Sequence, residues 1–283
     1  MHTTIVDVAT LAANLDRPDW VVLDCRFDLA KPAWGAEAFG AGHIPGARYL
    51  HLEHDLSSPQ TATSGRHPLP EPATLAARLG ALGIDASTQV VVHDQSNGMY
   101  AARAWWLLRY LGHPRVALLS GGLAAWTTAG RTLTTAAAPI VPRVFVARPD
   151  ASRVIDVVQL QRELAAGAIR LVDARGADRY AGQNETIDPA AGHVPGAVNH
   201  PFARNLDANG QLATVDSLRN LWQTTLAGRS PDAMVAMCGS GVSACLNLLA
   251  MEHAGLGGAR LYPGSWSEWI RDPARPIAKG ETP

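Results

Sequence analysis

Three things are scarce in this sequence: cysteine, net charge and long apolar runs. Its 283 residues hold only three cysteines, Cys25, Cys238 and Cys245. A small, odd number argues against a disulfide framework and for a reducing compartment. With 24 Lys and Arg against 25 Asp and Glu, the formal net charge is -1. Nothing in that balance calls for nucleic acid or an anionic membrane as partner. Residues 1–15 show no basic start followed by an apolar run, and Asp7 interrupts them. Neither a signal peptide nor a membrane span is read there, so the expected location is cytoplasmic. His51-Leu52-Glu53-His54 is half a metal site without further spaced ligands and reads as a solvated loop; no metal is expected. What is plentiful is core material, with 47% hydrophobic against 17% charged residues. The length suits one large domain or two of ordinary size.

The chain repeats itself. Val21-Val22-Leu23-Asp24-Cys25-Arg26 is echoed by Leu171-Val172-Asp173-Ala174-Arg175, and Gly42-His43-Ile44-Pro45-Gly46-Ala47 by Gly192-His193-Val194-Pro195-Gly196-Ala197. Val90-Val91-Val92-His93-Asp94 is echoed by Met234-Val235-Ala236-Met237-Cys238, and Gly121-Gly122-Leu123-Ala124-Ala125-Trp126 by Gly264-Ser265-Trp266-Ser267-Glu268-Trp269. Echoes in one order, each displaced by about half the chain, mean duplication, and two copies are too few for a solenoid. The stretch 134–149 is rich in Ala and carries Pro139, Pro142 and Pro149, as a linker would. We therefore expect a non-catalytic domain over 1–135, a linker over 136–149 and a catalytic domain over 150–283. Within a copy, apolar runs (20–23, 90–92, 115–119) alternate with helical ones (73–82, 101–111). That pattern predicts an α/β fold, each domain a small parallel sheet with helices on both faces. Most of the eight Trp are expected in the cores.

The chemistry concentrates at the end of the predicted strand 234–237. Cys238 follows it, then Gly239, Ser240, Gly241, Val242 and Ser243, and a predicted helix over 243–253. In such sheets ligands bind beyond the carboxyl ends of strands. There the unpaired N–H groups and the positive end of a helix dipole converge. Glycines let the loop curl so that successive N–H groups form a nest, which lowers a thiol's pKa and would hold a second sulfur. A buried free cysteine is often only a small hydrophobe; the Gly-Ser-Gly turn after this one is not demanded by structure and favours a nucleophile. Cys245 and Cys25 are read as core. An anionic substrate at such a site needs cations, and Arg175 and Arg179, after the predicted strand 171–173, are the candidates.

Cys238-Gly239-Ser240-Gly241-Val242-Ser243-Ala244 resembles the active loop of the 3-mercaptopyruvate sulfurtransferases, relatives of rhodanese (thiosulfate sulfurtransferase). The repeated elements and the C-terminal Gly-Ser-Trp-Ser-Glu-Trp extend that resemblance over essentially the whole chain. It implies two tandem rhodanese-like domains, only the second catalytic, as Asp94 at the first-copy position of Cys238 agrees. It implies a Cys238 persulfide, a small anionic sulfur donor, a thiol or thioredoxin acceptor and no cofactor. It matches Arg175 and Arg179 to the pair that flanks the cysteine, and pairs a first-domain histidine, here His43, with Ser240 in a proton relay. His43 and His193 also fit structural turn residues, since both copies carry them. The loop lacks the basic residues of thiosulfate-preferring animal enzymes, which favours 3-mercaptopyruvate. However, Tyr180 to Gly192 contains no Lys or Arg, and Asp188 stands near where a further arginine is expected, which favours thiosulfate. A non-enzymatic sulfur-relay or binding module is the remaining alternative. A phosphatase would need Arg where Ala244 stands. The G-x-G-x-x-A pattern of 239–244 lacks the acidic residue a dinucleotide site needs.

Overall fold

The structure, a computed structural model, describes every residue except Ala138, in the expected linker, and Pro283. Its compact units are residues 1–58, 69–150 and 207–212 on one side and 59–68, 151–206 and 213–283 on the other. Each copy thus lends a short segment to the other unit. The stretch 136–149 groups with the first unit, where Arg143 N–H donates to Gly80 O and Arg148 N–H to Leu111 O. No helix among the described residues is long and apolar enough to cross a membrane.

The first unit contains β1 (Ile5–Val6), β2 (Trp20–Asp24), β3 (Arg48–Tyr49), β4 (Gln89–His93) and β5 (Val116–Leu119). They form one parallel sheet in the order β1-β5-β4-β2-β3. Every residue of β4 and β5 is buried, which is why Val90-Val91-Val92 runs apolar without alternation: helices cover both faces. The second unit repeats the plan with β6 (Arg170–Asp173), β7 (Val198–Asn199), β8 (Met234–Met237) and β9 (Arg260–Leu261), ordered β7-β6-β8-β9 and again parallel. The counterpart of β1 shrinks to one bridge, Val154 to Leu261. The first helix of each copy starts alike. Asp7 caps Val8–Asn14 by accepting from Thr10 N–H at 2.6 Å, and Asp156 caps Val157–Ala165 by accepting from Gln159 N–H at 2.7 Å.

The chain leaves β6 to one side, to β7, and returns on the other, to β8. The reversal opens a crevice between the carboxyl ends of β6 and β8, where Asp173 is in register with Met237. A core of Leu171, Tyr180, Val194, Val235, Met237 and Trp266 fixes those ends. Six of the eight Trp are buried; Trp20 and Trp34 are only partly so.

Candidate active site

Cys238 stands at the end of β8, 2% exposed. Its backbone is clamped from the C-terminal turn. Cys238 N–H donates to Ser265 Oγ at 3.1 Å, and its carbonyl accepts from Trp266 N–H at 3.0 Å. Ser265 holds that position with a left-handed backbone, φ +54°, an uncommon state for a non-glycine residue that the hydroxyl's bonds to Cys238 and Tyr262 offset. Beyond the cysteine the loop turns back at Gly241, φ +75°, where a Cβ would fall 2.5 Å from Pro263 O. Only glycine fits, and the turn aims Gly241 N–H at Cys238 Sγ, 3.1 Å away. Val242 follows, Ser243 occupies the N-cap without a capping bond from its side chain, and the helix Ala244–His253 begins. The sulfur therefore accepts from a backbone N–H in the loop that leads into the positive end of that helix.

The Ser240 hydroxyl lies 2.8 Å from His67 Nδ1, both groups being buried. His43 does not stand in that place. Its Nδ1 is 2.8 Å from Phe39 O and its Nε2 3.2 Å from Ala136 O, and its ring stacks on Phe39 at 4.0 Å. Its backbone bridges Thr134, as that of His193 bridges Ala278, and His193 likewise stacks on an aromatic ring, Tyr180. Both histidines hold the same turn in the two copies.

The two sequence-predicted arginines separate in role. Arg175 is held in place: it grips Asp173 through Nε and Nη2 at 2.7–3.1 Å, donates from Nη2 to Gly192 O at 2.7 Å, and lies over the Trp266 ring at 4.7 Å, while its Nη1, 3.6 Å from Glu185, has no hydrogen-bond partner among the described residues. Arg26 does the same with Asp24 and Gly42 O. The repeated Asp-x-Arg is a strap from strand end to Gly-His turn. Arg179 faces the active loop. A Cβ at Gly239 would lie 3.7 Å from its Nη2 and 3.2 Å from Nη2 of a second arginine, Arg66. Glu185 holds Arg179 bidentately at 2.9–3.1 Å. Burial would raise the Glu185 carboxyl's pKa, but the bonds from Arg179 and from the N–H groups of Ile187 and Asp188 outweigh it and hold it below the usual carboxylate value. Asp188, its side chain 2% exposed, joins Arg66 Nη1 at 2.6 Å to Arg179 Nη2 at 3.0 Å. Beside these groups opens a cavity of about 360 Å³ lined by Gln60, Arg66, Ile187, Asp188, Ser267 and Arg271.

Of the other cysteines, Cys245 donates to Gly241 O at 3.3 Å inside the helix and Cys25 is 1% exposed. Burial, reinforced by Asp24, pushes the Cys25 thiol well up, away from the thiolate. Sequence reasoning missed Arg66 and His67, which lie in a first-half segment that groups with the second unit. The available signal was negative: Gly65-Arg66-His67-Pro68 has no counterpart among the repeated elements.

Residues 7–129 and 156–272 each match the model of the rhodanese-like domain. The chain is 49% identical over 273 residues to a Pseudomonas aeruginosa protein named "Probable 3-mercaptopyruvate sulfurtransferase", covering 96% of both chains. It is 32% identical over 253 residues to a thiosulfate sulfurtransferase of Gallus gallus, covering 88% of this chain and 86% of the relative. Among solved structures it is similar to the 3-mercaptopyruvate sulfotransferase SseA of Escherichia coli. That match has a TM-score of 0.81 and 32% identity, over 94% of this chain and all of that one.

Proposed function

The chain is a sulfurtransferase of the rhodanese-like domain family, and on that premise we propose that Cys238 takes sulfur from a small anionic donor, 3-mercaptopyruvate being favoured, and passes it on from a persulfide. The observation that carries this reading is the bond from Gly241 N–H to Cys238 Sγ. It places the sulfur in a loop that stabilises a thiolate before the reaction and the outer sulfur of a persulfide after it.

The Cys238 thiolate attacks the donor's thiol sulfur. As the S–S bond forms, the donor's C–S bond breaks and its electron pair leaves on the three-carbon fragment as the enolate of pyruvate. The proton of the donor thiol ends on the terminal carbon of that enolate, relayed by Ser240 and His67, which are 2.8 Å apart. The enzyme retains a persulfide anion. An acceptor thiol, a thioredoxin or, in the test tube, cyanide then attacks the outer sulfur, and the thiolate returns. Charge is conserved at each step without a metal or organic cofactor.

A second reading, thiosulfate as donor, is favoured by the lack of any Lys or Arg from Tyr180 to Gly192. Thiosulfate surrenders its sulfur by S–S cleavage with sulfite leaving, and no proton moves to carbon. Ser240→Ala therefore separates the two. We expect kcat/KM for 3-mercaptopyruvate to fall about 100-fold and that for thiosulfate to stay within about threefold, since no relayed proton is involved. An equal loss with both donors would remove the relay. Wild-type protein that gains no persulfide from either donor would remove the reading.

A further inference from the structure

We propose that Arg66 is the second donor-binding cation of this site and that Asp188 is the positioning residue that holds it there. The inference rests on the Cys238 reaction above and concerns how the donor is gripped. In the residues immediately after the carboxyl ends of β6 and β8 the linear sequence supplies no cation besides Arg175 and Arg179, and Arg175 is held in its strap. The structure brings the missing charge from residues 59–68.

Several independent contacts build that placement. Gly65 packs so closely that a Cβ on it would fall 2.4 Å from Gly264 O. Arg66 N–H donates to Ser267 Oγ at 2.9 Å, and Ser267 N–H donates to Gly239 O at 2.9 Å, so the Arg66 backbone is fastened to the residue after the nucleophile. The next residue, His67, carries the contact to Ser240. The side chain then crosses above Gly239, with Nη2 3.2 Å from where a Cβ would be. Its Nε is buried and has no hydrogen-bond partner among the described residues. A half-buried guanidinium with a buried, unmet Nε–H beside a 360 Å³ cavity is arranged for an anion.

Asp188 lies nine residues beyond Arg179 and bridges the two guanidiniums. An acidic group at that point would oppose an anionic donor if it stood alone. Bound to both arginines, it fixes them side by side over Gly239 and cancels one of their two charges. Glu185, bound to Arg179, offsets the other, so the grip on a carboxylate comes from N–H donors held in place rather than from net charge. The geometry suits 3-mercaptopyruvate, whose carboxylate is separated from the transferred sulfur by two carbons and so reaches past Cys238 toward these side chains.

The test uses the full chain and steady-state kinetics with 3-mercaptopyruvate and cyanide. Arg66→Ala should raise the donor's KM about 10- to 100-fold, the loss of one charge-assisted contact, with kcat changed far less. Arg66→Lys, which keeps the charge without the fork, should fall between. Asp188→Asn should raise KM in the wild-type background and change it little in the Arg66→Ala background, because a positioning residue has nothing left to position. Placing the cation directly, as Arg66→Ala with Asp188→Arg, should recover most of the lost KM. A KM unchanged in folded Arg66→Ala and Arg66→Lys, or additive effects of the two positions without rescue, would overturn the proposal. Either result, obtained alongside a normal wild-type persulfide, leaves the Cys238 reading intact. A wild-type chain that takes no sulfur would overturn that reading first.

Discussion

The two copies build the same loop at the end of the same strand and fill it differently. After β4 the residue is Asp94, fully buried, and its carboxylate gathers the loop's amides. Oδ1 accepts from Ser96 and Gly98 at 3.0 Å, and Oδ2 from Tyr100 at 2.9 Å and Ala101 at 3.3 Å. After β8 the residue is Cys238, and Gly241 N–H points at its sulfur. Glycines with positive φ turn both loops, Gly98 at +81° and Gly241 at +75°. One copy closes the anion nest with an internal carboxylate; the other leaves it to an anionic sulfur. The facing turn differs to match. Gly122 leaves no room for a side chain, since a Cβ would meet Asp94 O at 2.6 Å, whereas Ser265 brings a hydroxyl that holds Cys238 N–H.

The comparison can be broken by exchange. Cys238→Asp should give the second loop the character of the first: sulfur transfer falls to background while the melting temperature does not drop. Retained turnover would show that another group carries sulfur. Next come the straps. Arg26→Ala and Arg175→Ala each leave a buried aspartate without its partner and should cost about 3–5 kcal/mol, read from denaturant midpoints. If only Arg175→Ala also abolished donor binding in protein that remained folded, its role would not be the one it shares with Arg26. Asp94→Ala orphans several buried amides and should cost about 1–3 kcal/mol, with Asp94→Asn milder.

The smallest effect concerns a position where the copies differ within the shared turn, Leu50 in the first and His200 in the second. Both are buried. His200 stacks on Trp222 at 3.9 Å, and desolvation, with Arg204 nearby, lowers its pKa to about 3. Its folded value lies below its unfolded value near 6.5, so below that pH the unfolded chain takes a proton that the folded chain refuses. Stability is therefore lost as pH falls from about 6.5 toward 3, by up to about 1.4 kcal/mol per pH unit. His200→Leu should flatten that slope in acid-unfolding curves; an unchanged slope would place the acid sensitivity elsewhere.

Duplication made the fold legible. Repeated elements gave the strands, their parallel pairing and the Gly-His turns, because packing imposes the same demands twice. It also misdirects at the site. Arg175 and His43 belong to repeated motifs, and the structure shows both engaged in holding those motifs together. The residues facing Cys238 lie where the copies diverge: Asp94 against Cys238, Gly122 against Ser265, and the Arg66-His67 segment that only the first copy has. No local periodicity marks that segment. It reaches the site through a glycine packed against Gly264 and a bond to Ser267, contacts that span two-thirds of the chain. Shared features therefore report the fold, and departures from the repeat report the chemistry.

The most direct test of the central claim is the intact mass of the protein after brief exposure to 3-mercaptopyruvate without acceptor, followed by peptide mapping. The expected result is one added sulfur atom, located on Cys238 and lost on addition of cyanide. Sulfur found on Cys25 or Cys245, or turnover with no sulfur on the protein, would contradict it.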